Sequence, residues 1–129
     1  MASELRVNTL KDAAGANSVA MTYVAGGSAK AWVNFDGTGT IAARDSLNNS
    51  SLTDNGTGDY TVTMSNAMAN ANYGMSSTAG RLANDGAFVT NPIGTYANTT
   101  TTHRIKGLYQ DGGALDMNMM SNDIKGDLA

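Results

Sequence analysis

Apolar and polar positions alternate with period two along much of the chain, the pattern of half-buried strands rather than of helices. Leu5, Val7 and Thr9 fall on one face of a first short strand, followed by a turn at Gly15-Ala16-Asn17. Ser18 to Tyr23 reads as the return strand, with a helix the weaker alternative, because Val, Thr and Tyr favour strands and Gly26-Gly27 stops the segment early. Ala31 to Phe35 and Thr40 to Asp45 form a hairpin about the turn Asp36-Gly37-Thr38-Gly39, since Asp-Gly between two apolar runs is a strong hairpin signal. Trp32 and Phe35 are the expected anchors of the core. Leu47 to Thr57 reads as a polar connection, and Tyr60, Val62 and Met64 mark the clearest half-buried strand.

Beyond it the pattern weakens. Asn66 to Asn72 is too short and too rich in Asn for an autonomous helix, so it is expected as one helical turn or a tight crossover. Tyr73 to Ser77 is extended, Gly80 to Ala87 is a loop, and Phe88 to Thr90 and Thr95-Tyr96 flank the only proline, Pro92. A final hairpin is expected between His103 to Tyr109 and Ala114 to Met119, with Leu115, Met117 and Met119 in phase. Roughly seven or eight short strands at fairly even spacing predict an all-β fold, an antiparallel β-sandwich of jelly-roll or Ig-like type. Residues 1–28 form an extended N-terminal attachment arm or first hairpin, and residues 29–129 the sandwich domain.

Composition changes this picture in one respect. Leu, Ile, Val and Phe supply only 20 of 129 residues, whereas Gly, Asn, Ser and Thr supply 54. So low an aliphatic content approaches the range of disordered chains. A net charge of only −3 argues against disorder, which generally combines low hydrophobicity with high net charge. The deficit instead predicts that the core is completed by Ala, Met and a partner chain. Eight basic residues without a basic run argue against nucleic acid. No apolar run approaches the roughly 20 residues that span a bilayer, so no membrane insertion is expected. Zero cysteines exclude disulfides, thiolate metal sites and a cysteine nucleophile.

The run from Gly27 to Thr40, then Arg44-Asp45-Ser46, then Leu52 to Val62, resembles a module of tail-fibre and other virion structural proteins of tailed bacteriophages, notably aquatic ones. The opening from Leu5 to Gly15 is similar to the start of short phage fibre proteins, and Arg104-Ile105-Lys106 with Asp116-Met117 to the last hairpin of such modules. The resemblance covers most of residues 4–120 and implies an all-β, trimeric protein located in the virion. Its implied partners are further copies of itself, other virion proteins of tail or capsid, and a host surface glycan. A tail fibre or spike that touches the host is the first expectation; a capsid decoration or head fibre is the alternative.

Catalytic chemistry finds little support. His103 is the only histidine, no Gly-x-Ser-x-Gly elbow accompanies it, and a surface or interface position is expected for it. Glu4 is the only glutamate and most Asp residues lie in turn contexts, so paired carboxylates for sugar hydrolysis are not expected and a carbohydrate-processing enzyme is a remote alternative. Asp54-Asn55-Gly56-Thr57-Gly58-Asp59 is the best cation-loop candidate, yet it lacks the EF-hand's spacing and reads first as a turn. No cofactor or metal is expected. Three binding surfaces are: Leu5, Val7 and Leu10 in the arm, Met117, Met119 and Met120 at an oligomer interface, and Tyr96 and Tyr109 against a receptor.

Overall fold

The computed structural model describes residues 3–81, 87–90 and 98–129. Strand β1 (Thr9–Lys11) pairs antiparallel with β2 (Ser18–Ala20), and helix α1 (Met21–Gly27) follows directly. Only Ser18 to Ala20 of the expected return strand is therefore extended. The partner strand ends at Thr9, opposite Ala20, and Met21 N–H reaches back to the Asn8 carbonyl at 2.9 Å. Beyond that point no strand is left to pair with, and the chain satisfies its own backbone as a short helix.

The remaining strands are β3 (Ala29–Asp36), β4 (Ala42–Leu47), β5 (Asn49–Gly56), β6 (Asp59–Met64), β7 (Gly74–Gly80), β8 (Ala87–Thr90), β9 (Thr102–Tyr109) and β10 (Met119–Lys125). They form two four-stranded antiparallel sheets, ordered β4-β3-β10-β7 and β5-β6-β9-β8. Alternate residues of the four inner strands point into a shared interior: Ala31, Val33 and Phe35; Met120, Asn122 and Ile124; Tyr60, Val62 and Met64; His103 and Ile105. The expectation of an all-β antiparallel fold thus holds, with its core between the two sheets.

The predicted hairpin about Asp36-Gly37 is present, and Asp36 Oδ1 accepts from Thr38 N–H at 3.0 Å and from its hydroxyl at 2.7 Å. Leu47 to Thr57 departs from expectation, because Asn49–Gly56 is a strand rather than a connection. It is an edge strand with mostly exposed side chains, and only Leu52 packs on the core, so it needs no apolar alternation. The corner from β4 to β5, and hence from one sheet to the other, is Asn48 with φ of 54°. Asn tolerates this left-handed region, and the Asn48 side chain ties the corner to Asn66, accepting from its backbone N–H at 2.6 Å and donating to its carbonyl at 3.1 Å.

Of the two alternatives expected for Asn66 to Asn72 it is the crossover that forms, without a helical turn and held by a bridge between Met68 and Leu128. Two further expectations change. Trp32 points away from the core: in β3 the inward positions are Ala31, Val33 and Phe35, which leaves Trp32 half-buried on the outer face, opposite Leu47. The final hairpin does not form as expected. Ala114 makes only an isolated bridge to Leu108, and the chain then crosses so that β10 joins the other sheet. The inward residues Met117 and Met120 are three apart, a spacing that a period-two strand cannot provide.

Two glycines permit that crossing. A Cβ on Gly107 would lie 2.7 Å from the Leu115 carbonyl oxygen, and one on Gly58, whose φ is +65°, would lie 2.5 Å from the Gly107 oxygen and 2.6 Å from the Leu115 nitrogen. Where the crossing meets the core, Asp116 Oδ1 accepts from Gly58 N–H and from the Tyr60 hydroxyl, both at 2.7 Å, and that hydroxyl also lies 2.8 Å from the Gly37 carbonyl. Burial, followed by the nearby Asp116 carboxylate, pushes the Tyr60 hydroxyl far above its ordinary pKa, so it remains a donor at any physiological pH. Phe35 meets Tyr60 edge to face, with ring centroids 5.2 Å apart.

Candidate attachment and recognition surfaces

The N-terminal segment displays the apolar side chains that the sandwich would be expected to hide. Leu5 is 80% exposed, Tyr23 75% and Leu10 43%, with Val7 and Val19 also on the surface. Leu10 lies directly across the hairpin from Val19, and the two line an open cleft with Lys11, Asp12, Asn17 and Ser18. The hairpin turn is ordered by Asp12, whose carboxylate accepts from Ala16 N–H at 3.0 Å and from the Asn17 amide at 2.7 Å, while Gly15 takes a φ of 70°. The Asn17 contact, chiefly, holds the Asp12 carboxyl below its usual pKa.

An isolated two-stranded ribbon is marginal in water, and a seven-residue helix that buries no residue is no better.

The second expected surface is only partly described, because Tyr96 lies outside the described residues. Tyr109, at the end of β9, lines an open cleft of about 270 Å³ with Arg81, Asp111, Gly113, Ala114 and Leu115. The Arg81 guanidinium sits over the Tyr109 ring, 5.8 Å from its centroid. Asp111 caps its own turn by accepting from Gly113 N–H at 2.8 Å. Pockets for small molecules usually measure about 300–1,000 Å³, so this cleft suits contact with one ring at a surface rather than enclosure of a ligand.

The methionine surface needs correction. Met117 and Met120 are fully buried, in one cluster with Val33, Phe35, Tyr60, Val62 and Ile105. Both fill the chain's own core, which removes them from any interface. Met119, 41% exposed, stays on the surface and packs against Gly80 of the neighbouring strand. No family model matches the chain, and neither a curated protein nor a solved structure matches it.

His103 also departs from expectation, being 2% exposed and inward-facing on β9. Burial pushes its pKa down to about 4, with the Asn122 side chain acting in the opposite sense, so the ring is neutral near pH 7. The segment from Asp54 to Asp59 is the end of β5, a turn at Thr57-Gly58 and the start of β6, with Gly56 N–H donating to Asp54 Oδ1 at 2.8 Å. Asp59 turns instead to Arg104, in a two-point contact at 2.5 and 2.7 Å, and to Lys106 at 3.4 Å. Burial acts to raise the Asp59 pKa, but Arg104 and then Lys106 outweigh it and hold the carboxyl below its ordinary value. Among the described residues no three His, Cys, Asp or Glu side chains converge as a metal site would require. Sequence reasoning missed the Arg104–Asp59 pair, although two opposite charges on neighbouring strands of a strong pattern could have suggested it.

Proposed function

We propose that the chain is a structural protein of a phage virion surface: a trimeric appendage of the tail-fibre or spike kind that works by binding, without turnover. Residues 3–28 attach it, and the sandwich carries the face turned to the host. One observation supports this reading above others: five apolar side chains, Leu5, Val7, Leu10, Val19 and Tyr23, stand exposed on a segment that owns no core. Leu10 and Val19 stand side by side across the hairpin, and apolar side chains exposed on a segment without a core are what a contact surface offers. The resemblance of Gly27 to Val62 to virion modules supplies the kind of partner. Tyr109, with Arg81 and Asp111 beside it, provides an aromatic face and polar groups of the sort that contact a sugar ring.

The test is a reconstruction of intact particles made with and without the gene for this chain. Density of trimeric symmetry on the tail, absent from the deletion particle, is expected. Density on the head shell replaces the appendage by a decoration, and particles identical in both preparations overturn the reading.

A further inference from the structure

The sandwich interior is not uniformly apolar. One cluster holds Val33, Phe35, Tyr60, Val62, Ile105, Met117 and Met120. A second holds Ala31, Met64, Met68, Tyr73 and Ile124. His103 and Asn122, each 2% exposed, lie between them: His103 precedes Ile105 by one inward position on β9, and Asn122 falls between Met120 and Ile124 on β10. These strands are inner members of opposite sheets. The polar pair therefore spans the seam along which the sheets meet.

The pair is incompletely satisfied. Neither imidazole nitrogen of His103 makes a hydrogen bond of good geometry among the described residues, nor does Oδ1 of Asn122, although the neutral Asn122 side chain lies near enough to favour a protonated ring. Asn122 uses its amide hydrogens on the Ser77 hydroxyl at 2.8 Å and the Ser76 carbonyl at 3.4 Å. Tyr73 meets the His103 ring edge-on at 6.5 Å and spends its own hydroxyl on the Thr99 and Thr102 carbonyls.

Among the described residues no anion is placed to receive an imidazolium here. From β3 the inward residues are Ala31, Val33 and Phe35; from β6 they are Tyr60, Val62 and Met64. From β10 they are Met120, Asn122 and Ile124, and the half-buried residues of β7 are Met75, Ser77, Ala79 and Gly80. Tyr60 and Tyr73 are the titratable groups among these and in the crossover before β7, and burial raises the Tyr73 hydroxyl to about 12, so both stay neutral. The charged trio Asp59, Arg104 and Lys106 occupies the opposite, outer positions of β6 and β9. Of the two stretches that flank β8 outside the described residues, 82–86 contains Asp85 and 91–97 contains Tyr96 as their single titratable side chains.

We propose that the His103–Asn122 layer makes this protein acid-labile: a proton taken up by His103 places an unpaired charge on the seam and drives the two sheets apart. The sign follows from linkage. His103 binds a proton more readily in the unfolded chain, so stability is complete above about pH 6.5 and falls as pH drops toward 4. Across that window the folding equilibrium shifts by up to about 300-fold, at tenfold per pH unit. Loss of the Asp59 contacts belongs to more acid solution, below the 3.8 of an ordinary Asp, because that carboxyl is held lower still.

The experiment uses the full chain in two readouts. Because His103 is the only histidine, its ring carbons can be followed by NMR from pH 7.5 to 4 without assignment. Denaturant unfolding is then measured over the same range for the wild type and His103→Gln. The imidazole is expected to stay neutral while the chain is folded to pH 5, and His103→Gln to remove the stability loss between pH 6.5 and 4. A ring that titrates near 6.5 in folded protein overturns the proposal, as does an equal loss in His103→Gln. Should that variant fail to fold, the wild-type titration decides alone.

Discussion

Residues 3–28 and residues 29–129 spend similar residue types in opposite ways. In the sandwich, Val33, Phe35, Val62, Ile105 and Ile124 are hidden between sheets, and the shortage of aliphatic residues is made good from within by Tyr60, Tyr73, Met64, Met68, Met117 and Met120. In the N-terminal segment, Leu5, Val7, Leu10 and Val19 are all exposed. The meagre aliphatic content is therefore not a shared-core deficit of the sandwich, as composition alone suggested. Methionine and tyrosine close that core, and the incomplete part of the molecule is the segment before Ala29.

The contrast can be broken first at its most crowded point. Gly58→Ala combines a φ of +65° with contacts near 2.5 Å to the backbone of Gly107 and Leu115. A cost of about 4 kcal/mol or more is expected, read as loss of the cooperative transition in urea. Phe35→Ala, which empties the cluster against Tyr60, should cost about 3–5 kcal/mol in the same measurement. Tyr60→Phe removes the hydroxyl that lies between the Asp116 carboxylate and the Gly37 carbonyl and should cost about 1–3 kcal/mol while leaving the fold intact by circular dichroism.

A smaller effect is expected at the surface of the second sheet. Asp59→Asn should cost about 1–2 kcal/mol at pH 7, since it ends a charge-assisted two-point contact with a largely buried Arg104. The wild-type advantage is present above pH 3.8 and is lost as pH falls through the lower folded value, so the two proteins should converge in strong acid. The smallest effect belongs to the N-terminal segment: Leu10→Ser should change unfolding of the isolated monomer by under about 0.5 kcal/mol. A large loss there would show that the segment packs on the sandwich and would erase the distinction between the two regions.

What the sequence disclosed follows the same division. Strands with inward alternation, Ala31 to Phe35 and Tyr60 to Met64, are readable because the interior selects every second residue. Asn49–Gly56 was hidden because an edge strand is fixed by backbone pairing to β6 and needs no pattern of its own. Trp32 misleads by its size: alternation with Val33 places it outside. The interior of His103 was equally hidden, since a lone polar residue in a Thr-rich run normally belongs to a surface. Only its phase with Ile105 points inward. The exposed Leu5, Val7 and Leu10 were legible as a candidate contact surface because they precede the regular strands.

The most direct measurement compares the full chain with a variant carrying Leu5→Ser, Leu10→Ser, Val19→Ser and Tyr23→Ser, by thermal unfolding and by sedimentation in the same buffer. The account predicts an unfolding temperature for the sandwich within a few degrees of the wild type, together with loss of self-association and of incorporation into particles. A variant that unfolds far below the wild type, or one that assembles as well as it does, would contradict the claim that residues 3–28 are a contact surface attached to a self-sufficient sandwich.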